Sequence, residues 1–126
     1  MIAPTDTQRY FSITFMDAFT DNFAYIGTRA TKGQGGAFWV AGPQWQGVAP
    51  ANVTVLRSST SDVWMLGRTL VDGPEDMAAA RALQTQITVR STRPDAPARD
   101  YGVRCTSVED PANFLGVVND MLARSP

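Results

Sequence analysis

The 126-residue sequence contains no histidine and a single cysteine, Cys105. Without histidine the chain lacks the commonest general base near neutral pH and the commonest transition-metal ligand. A lone cysteine cannot close an intrachain disulfide and has no thiol partner for a zinc site. Cys105 therefore reads as a bland, part-buried residue rather than a nucleophile, since no histidine exists to activate it. Lysine is almost absent as well: of the eleven basic residues only Lys32 is lysine, and the arginines are spread along the chain. Nucleic-acid binding leaves a clustered basic face, and a chain of net charge −1 with scattered arginines shows none. No run approaches the ~18 apolar residues needed to cross a bilayer. The N-terminus, MIAPTDTQRY, has neither the basic nor the apolar segment of a secretory signal. These absences lead to the expectation of a cytoplasmic chain with no metal, no cofactor, no nucleic-acid partner and no membrane span.

What the sequence does have is apolar content: 44% hydrophobic residues and three tryptophans, enough for one domain with a real core. Residues 9–16 (RYFSITFM) alternate, with Phe11, Ile13 and Phe15 on one face, which predicts a strand with that face in the core. Further strands are expected at 23–26, 37–40, 53–57 and 63–70, with a sixth conceivable at 87–90. The turn TKGQGG (31–36) has the lysine before its glycines and a strand after them, so it reads as a hairpin turn and not as a phosphate loop. Trp45, in a loop, reads as a lid over apolar surface, with a ligand-stacking platform as the alternative. Trp64 is expected to anchor the core.

A helix is predicted over 74–84, directly after the fifth expected strand. Pro74 suits the first helical position, and Glu75 and Asp76 complement the positive end of the helix dipole. A second, amphipathic helix is predicted over 111–124, with Phe114, Leu115, Val117, Val118, Met121 and Leu122 as its stripe. The domain plan is a β core over 1–90, a proline-rich linker over 91–110 and a C-terminal amphipathic helix over 111–126.

Two groups of charged residues are candidates for chemistry. Asp17, Asp21, Asp62 and Asp72 fall at expected strand ends, where carboxylates either cap turns or converge on a site. Arg29, Arg57 and Arg68 fall inside or beside strands. An arginine there needs a carboxylate or carbonyl partner if it is buried. One reading is a set of ion pairs with Asp17 and Asp62, and the other is an anion pocket. The ligand-binding candidates are Asp17, Arg29, Asp62 and Arg68.

The ordered phrases FMDAFTDNFAYIGTRATKGQGGAFWVAGPQW and VTVLRSSTSDVWMLGRTLVDGPEDMAAARALQ resemble the bacterial domain of unknown function 1254 family. The landmarks are the corner at 17–22, Gly27-Thr28-Arg29 with its glycine-rich turn, Gly42-Pro43 with Trp45, residues 58–68, and Gly73-Pro74-Glu75-Asp76 with the helix behind it. The resemblance spans roughly residues 9–90, and the ending PANFLGVVNDMLARSP looks like the family's downstream helix. It implies a mainly β fold, an antiparallel jelly-roll-like β-sandwich with one short helix after the fifth strand and the C-terminal helix. In longer relatives, which look exported or envelope-associated, it implies a companion domain of unknown function 1214. Beside these the chain reads as a truncated member without signal peptide or companion domain. No catalytic residue comes with the family name.

Two functional expectations follow. The first is a non-enzymatic binding or assembly module of a larger two-domain protein, self-associating through an exposed sheet edge. The second is part of a hydrolase-like or small-molecule-processing enzyme whose site is shared with the companion domain. The second requires Arg68 and at least one of Asp17 or Asp62 to face a common pocket.

Overall fold

Strand β2 (Phe11–Met16) follows the alternation of its sequence: Phe11, Ile13 and Phe15 are each at most 1% exposed, while Ser12, Thr14 and Met16 turn to the opposite, half-buried face. A computed structural model describes residues 1–4, 8–93, 95 and 111–124. In it β2 is the central strand of a three-stranded antiparallel sheet ordered β3-β2-β6, with β3 at Asn22–Gly27 and β6 at Trp64–Thr69. A second three-stranded sheet is ordered β1-β4-β5, formed by Ile2–Ala3, Gly36–Ala41 and Val53–Arg57. The core lies between the sheets, where Phe11, Ile13, Phe15 and Ile26 of the first meet Ala3 and Phe38 of the second, with Leu83 closing one side. The protein is thus mainly β, with two short helices.

The pairing departs from the all-antiparallel expectation at one place. β4 and β5 run parallel, with Ala37 opposite Val53 and Ala41 opposite Arg57. Parallel neighbours need a long connection that returns the chain to the starting end. Residues 42–52 provide it, and their glycines and prolines do not encode a tight reversal. The turn at 31–36 is also not a hairpin, because β3 and β4 belong to different sheets. The chain changes sheets there, starting from Gly27. This residue has φ +139°, and a Cβ on it would lie 2.3 Å from the Phe11 carbonyl oxygen, so no other residue fits.

Residues 2–3 form β1, which pairs with β4 and bridges Thr88 through Ile2. Thr88 carries the whole pairing of the conceivable sixth strand, 87–90. The expected helix at 74–84 divides into a 3₁₀ turn, Pro74–Asp76, and helix α1, Met77–Gln84, both after the strand expected as the fifth, which is β6 once β1 is counted. The division has a cause. The Asp76 carboxylate is bound to the Arg9 guanidinium and accepts the Asp72 N–H at 2.9 Å, so it caps no α-helical N–H. α1 buries Ala80 and Leu83 against the sheets. Helix α2 spans Pro111–Arg124, with Phe114, Leu115 and Leu122 exposed. Most of the expected linker, the segment 101–105 and Cys105 lie outside the described residues.

Candidate functional site

The two sheets have outer faces of different character. On β1-β4-β5 the connection 42–52 folds back and lays Trp45 against Trp39, with ring centroids 5.9 Å apart. The Arg57 guanidinium stands 5.2 Å from the Trp45 ring and donates to the Trp45 carbonyl oxygen at 3.2 Å. Gly47 closes in so tightly that a Cβ there would sit 2.8 Å from the indole Nε1. Trp45 is therefore a lid on its own sheet, held on several sides. A cleft of ≈ 610 Å³ opens beside it, touching Trp39, Trp45, Ser61 and Arg93.

The outer face of β3-β2-β6 has no such cover among the described residues. The ladder sets Thr14 between Tyr25 and Leu66, and Ser12 between Gly27 and Arg68, with Met16 opposite Trp64. Tyr10, Tyr25, Leu66 and Trp64 are 37%, 52%, 41% and 64% exposed. Trp64 is therefore not a core anchor. It falls on the same side of the ladder as Ser12 and Thr14, and the core begins on the other side, with Phe11, Ile13 and Phe15. A shallow cleft of ≈ 320 Å³ touches Tyr10, Ser12, Tyr25 and Arg29 at one end of this face. Another of ≈ 320 Å³ runs along the β6 edge at Met16, Val63, Trp64, Met65 and Leu66.

The four candidates divide between the two ends of this sheet. At the end where β2 finishes and β6 begins, Asp17 is buried and its Oδ1 accepts the Phe19 and Asp21 N–H groups at 2.9 and 3.0 Å. Its Oδ2 accepts the Ser59 hydroxyl at 2.6 Å. These bonds hold the carboxyl below its ordinary value, the Ser59 bond first, against the opposing effect of burial. Thr60 completes the corner: its hydroxyl accepts the Ala18 N–H at 2.9 Å and donates to the Asp62 carbonyl at 2.7 Å. At the opposite end Arg29 lies exposed, 5.9 Å from the Tyr10 ring centre, and Arg68 is opposite Ser12. Six strand residues separate the ends, roughly 17–20 Å.

Asp17 and Asp62 thus share one corner, and Arg29 and Arg68 flank Ser12 at the other. The expected ion pairs from Arg29, Arg57 and Arg68 to these aspartates do not form. The first two arginines stack on aromatic rings, and the Arg68 side chain makes no hydrogen bond, ion pair or ring contact with a described residue. All three are solvent-exposed, so none needs a buried counter-charge. The ion pair between described residues is Arg9 with Asp76, distant in sequence and absent from the expectations. It holds the Asp76 carboxyl down to about 2, chiefly through the Arg9 hydrogen bonds and then the Asp72 N–H. No local signal marks it, because its partners lie 67 residues apart. Among the described residues no group of three metal-ligating side chains is gathered, and no helix is long and apolar enough to cross a membrane.

A family model described as protein of unknown function (DUF1254) matches residues 1–91. The crystal structure of the VPA0106 protein from Vibrio parahaemolyticus superposes with a TM-score of 0.75 at 28% identity. The match covers 98% of this chain and 32% of that one, so the present chain spans about a third of its length. No curated protein matches the sequence.

Proposed function

The chain belongs to the DUF1254 family, and from that premise we propose that it is a non-enzymatic assembly module of a larger protein, working by docking its β3-β2-β6 sheet. The observation that carries this is the contrast between the two outer faces. On one, Trp45 and Arg57 fold over Trp39, while the other presents Trp64 and Leu66 of β6 and Tyr25 and Tyr10 across Thr14 and Ser12 to solvent. Single exposed apolar residues are ordinary, but four large ones on one sheet face favour an interaction surface. Arg68 at the rim of this face and a β6 edge that no described strand pairs add polarity and backbone hydrogen-bonding capacity to the same surface. The two sheets around one core are taken as a jelly-roll-type sandwich, with β4-β5 as its parallel departure. The separation of the aspartate corner from the arginine end supports docking over a composite catalytic site.

Offered alone, this surface is expected to close on another copy of the chain. Sedimentation velocity over a concentration series tests this with the native chain and Leu66→Lys, which sets a charge on this face. The native chain is expected to gain mass with concentration and the variant to stay monomeric, both with the same far-ultraviolet circular dichroism. A native chain that stays monomeric at every concentration would refute the reading.

A further inference from the structure

One row on the outer face of β3-β2-β6 has a gap in it. The ladder sets Gly27, Ser12 and Arg68 side by side across the three strands. Gly27 adds no side chain to that row, and its φ of +139°, with the Phe11 carbonyl oxygen 2.3 Å from a Cβ position, keeps every other residue out. The gap is therefore fixed by the fold. It lies in the shallow cleft of ≈ 320 Å³ that also touches Tyr10, Tyr25 and Arg29. Tyr25 is opposite Thr14, so the two tyrosines stand four β2 residues apart, about 13 Å along the strand. They wall the two ends of a trough over the β2–β3 seam. Its volume is at the small end for a ligand cleft, enough for one ring and not for a long chain.

Three polar groups meet at this trough without a hydrogen-bond partner among the described residues. The Ser12 hydroxyl is half-buried and lines the cleft. The exposed Arg29 guanidinium lines it too, 5.9 Å from the Tyr10 ring centre. A ring face attracts the cation but leaves the N–H donors at its edge unused. Arg68 approaches from the far side of Ser12. The Leu70 N–H donates to the Tyr10 carbonyl at 2.9 Å, so by the two-residue period Ser12 and Arg68 are also a hydrogen-bonded pair, with Cα atoms about 5.5 Å apart. From there a guanidinium can reach an oxyanion lying over Ser12. Among the described residues no carboxylate lines the cleft. Two cations and a hydroxyl beside an apolar trough, with no anion between them, favour a ligand that is negative at one end and apolar at the other.

We propose that this trough binds a small carboxylate with a flat apolar body, of the aryl carboxylate class. The ring lies over the β2–β3 seam between Tyr10 and Tyr25, and the carboxylate accepts from the Ser12 hydroxyl and the guanidinium groups of Arg29 and Arg68. Arginine presents paired N–H donors that match a carboxylate, and the tyrosine rings give the body apolar contact. A bare oxyanion would leave those rings unused, and a neutral ring would leave the cations unanswered. The site shares Tyr10 and Tyr25 with the docking surface but goes beyond that reading, since it needs no second molecule.

A titration of the native chain with benzoate, followed residue by residue in amide nuclear magnetic resonance spectra, tests the site. The protein is kept dilute enough to sediment as a monomer. Benzoate is expected to shift the resonances of residues 10–12, 25–30 and 68. Benzamide, the neutral analogue, and inorganic phosphate, the oxyanion without a ring, are each expected to bind at least about 10-fold more weakly. Arg29→Gln and Arg68→Gln lie at exposed positions and keep the far-ultraviolet circular dichroism of the native chain. Each is expected to raise the benzoate dissociation constant about 3- to 10-fold. Shifts centred elsewhere, benzamide or phosphate binding as tightly as benzoate, or both glutamine variants binding benzoate like the native chain would overturn the proposal. A chain that binds benzoate and never self-associates keeps this site and loses the docking surface, and one that self-associates without binding benzoate does the reverse.

Discussion

Ile13 and Leu66 carry isomeric side chains on strands of one sheet, β2 and β6, but on opposite faces. Ile13 is 1% exposed in the core and Leu66 is 41% exposed on the outer face. Truncating each to alanine separates burial from side-chain chemistry. Ile13→Ala removes atoms packed among Phe11, Phe15, Ile26 and Phe38. Such a change costs about 2–5 kcal/mol, transfer and cavity together. The total stability expected of a domain this size is roughly 6–19 kcal/mol, so the loss is a large part of it. Leu66→Ala removes atoms already half in water and is expected to cost no more than about 1 kcal/mol, mostly strand propensity. Urea unfolding followed by tryptophan fluorescence measures both, at a protein concentration low enough to keep the chain monomeric. The slope against urea should be unchanged in each, since the same surface is exposed on unfolding. A Leu66→Ala cost equal to that of Ile13→Ala would refute the assignment of faces, because it would mean the outer face is covered in the single chain.

Two further outcomes bear on the frame that carries this sheet. Asp76 is held near about 2 by Arg9, below its ordinary 3.8. A carboxyl with a depressed folded-state value stabilises the fold above its unfolded value, and the contribution is lost as pH falls through the folded one. The stabilisation is therefore complete at neutral pH and disappears between about pH 4 and pH 2, with Asp17 adding to the loss in the same direction. Asp76→Asn should lower stability at pH 7 and flatten the acid limb of a melting-temperature profile, and an unchanged limb would contradict the role given to the Arg9 pair. Gly27→Ala combines a positive φ with a Cβ 2.3 Å from the Phe11 carbonyl oxygen. It is expected to destabilise by about 1–3 kcal/mol or more in chemical denaturation, and a neutral effect would contradict the sheet crossing drawn there.

Local patterns carried much of the fold. The Phe11-Ile13-Phe15 alternation identifies the central strand and its buried face, and the phrase at 17–22 identifies the β2–β3 corner that Asp17 caps. The second helix has the bounds that its apolar stripe implies, Pro111–Arg124. Periodicity reports which residues share a face, but not whether another surface covers that face. That is why Trp64, in an apolar strand, reads as a core residue and is found exposed. Partner choice is equally illegible where it depends on the path of the chain. The β4-β5 parallel pairing follows from where residues 42–52 travel, and β1 from two residues captured by the edge of β4.

The candidate site was legible in its residue types and not in their grouping. Arg29 and Arg68 do lie at one end of one sheet, and Asp17 and Asp62 at one corner, but six residues of β2 lie between the two groups. Arginine and aspartate at strand ends look alike in sequence whichever end they occupy. Pairing them correctly needs the register, in which Arg68 faces Ser12 and Trp64 faces Met16. The ion pair between described residues, Arg9 with Asp76, ties the entrance of β2 to the 3₁₀ turn behind β6.

Amide hydrogen exchange along β6 tests the docking of this sheet most directly. Trp64, Leu66 and Arg68 direct their N–H groups at β2 and should be protected at every protein concentration. Met65 and Gly67 direct theirs outward and should exchange freely in dilute solution, then gain protection as concentration rises. Fast, concentration-independent exchange at Met65 and Gly67 would contradict docking through this edge.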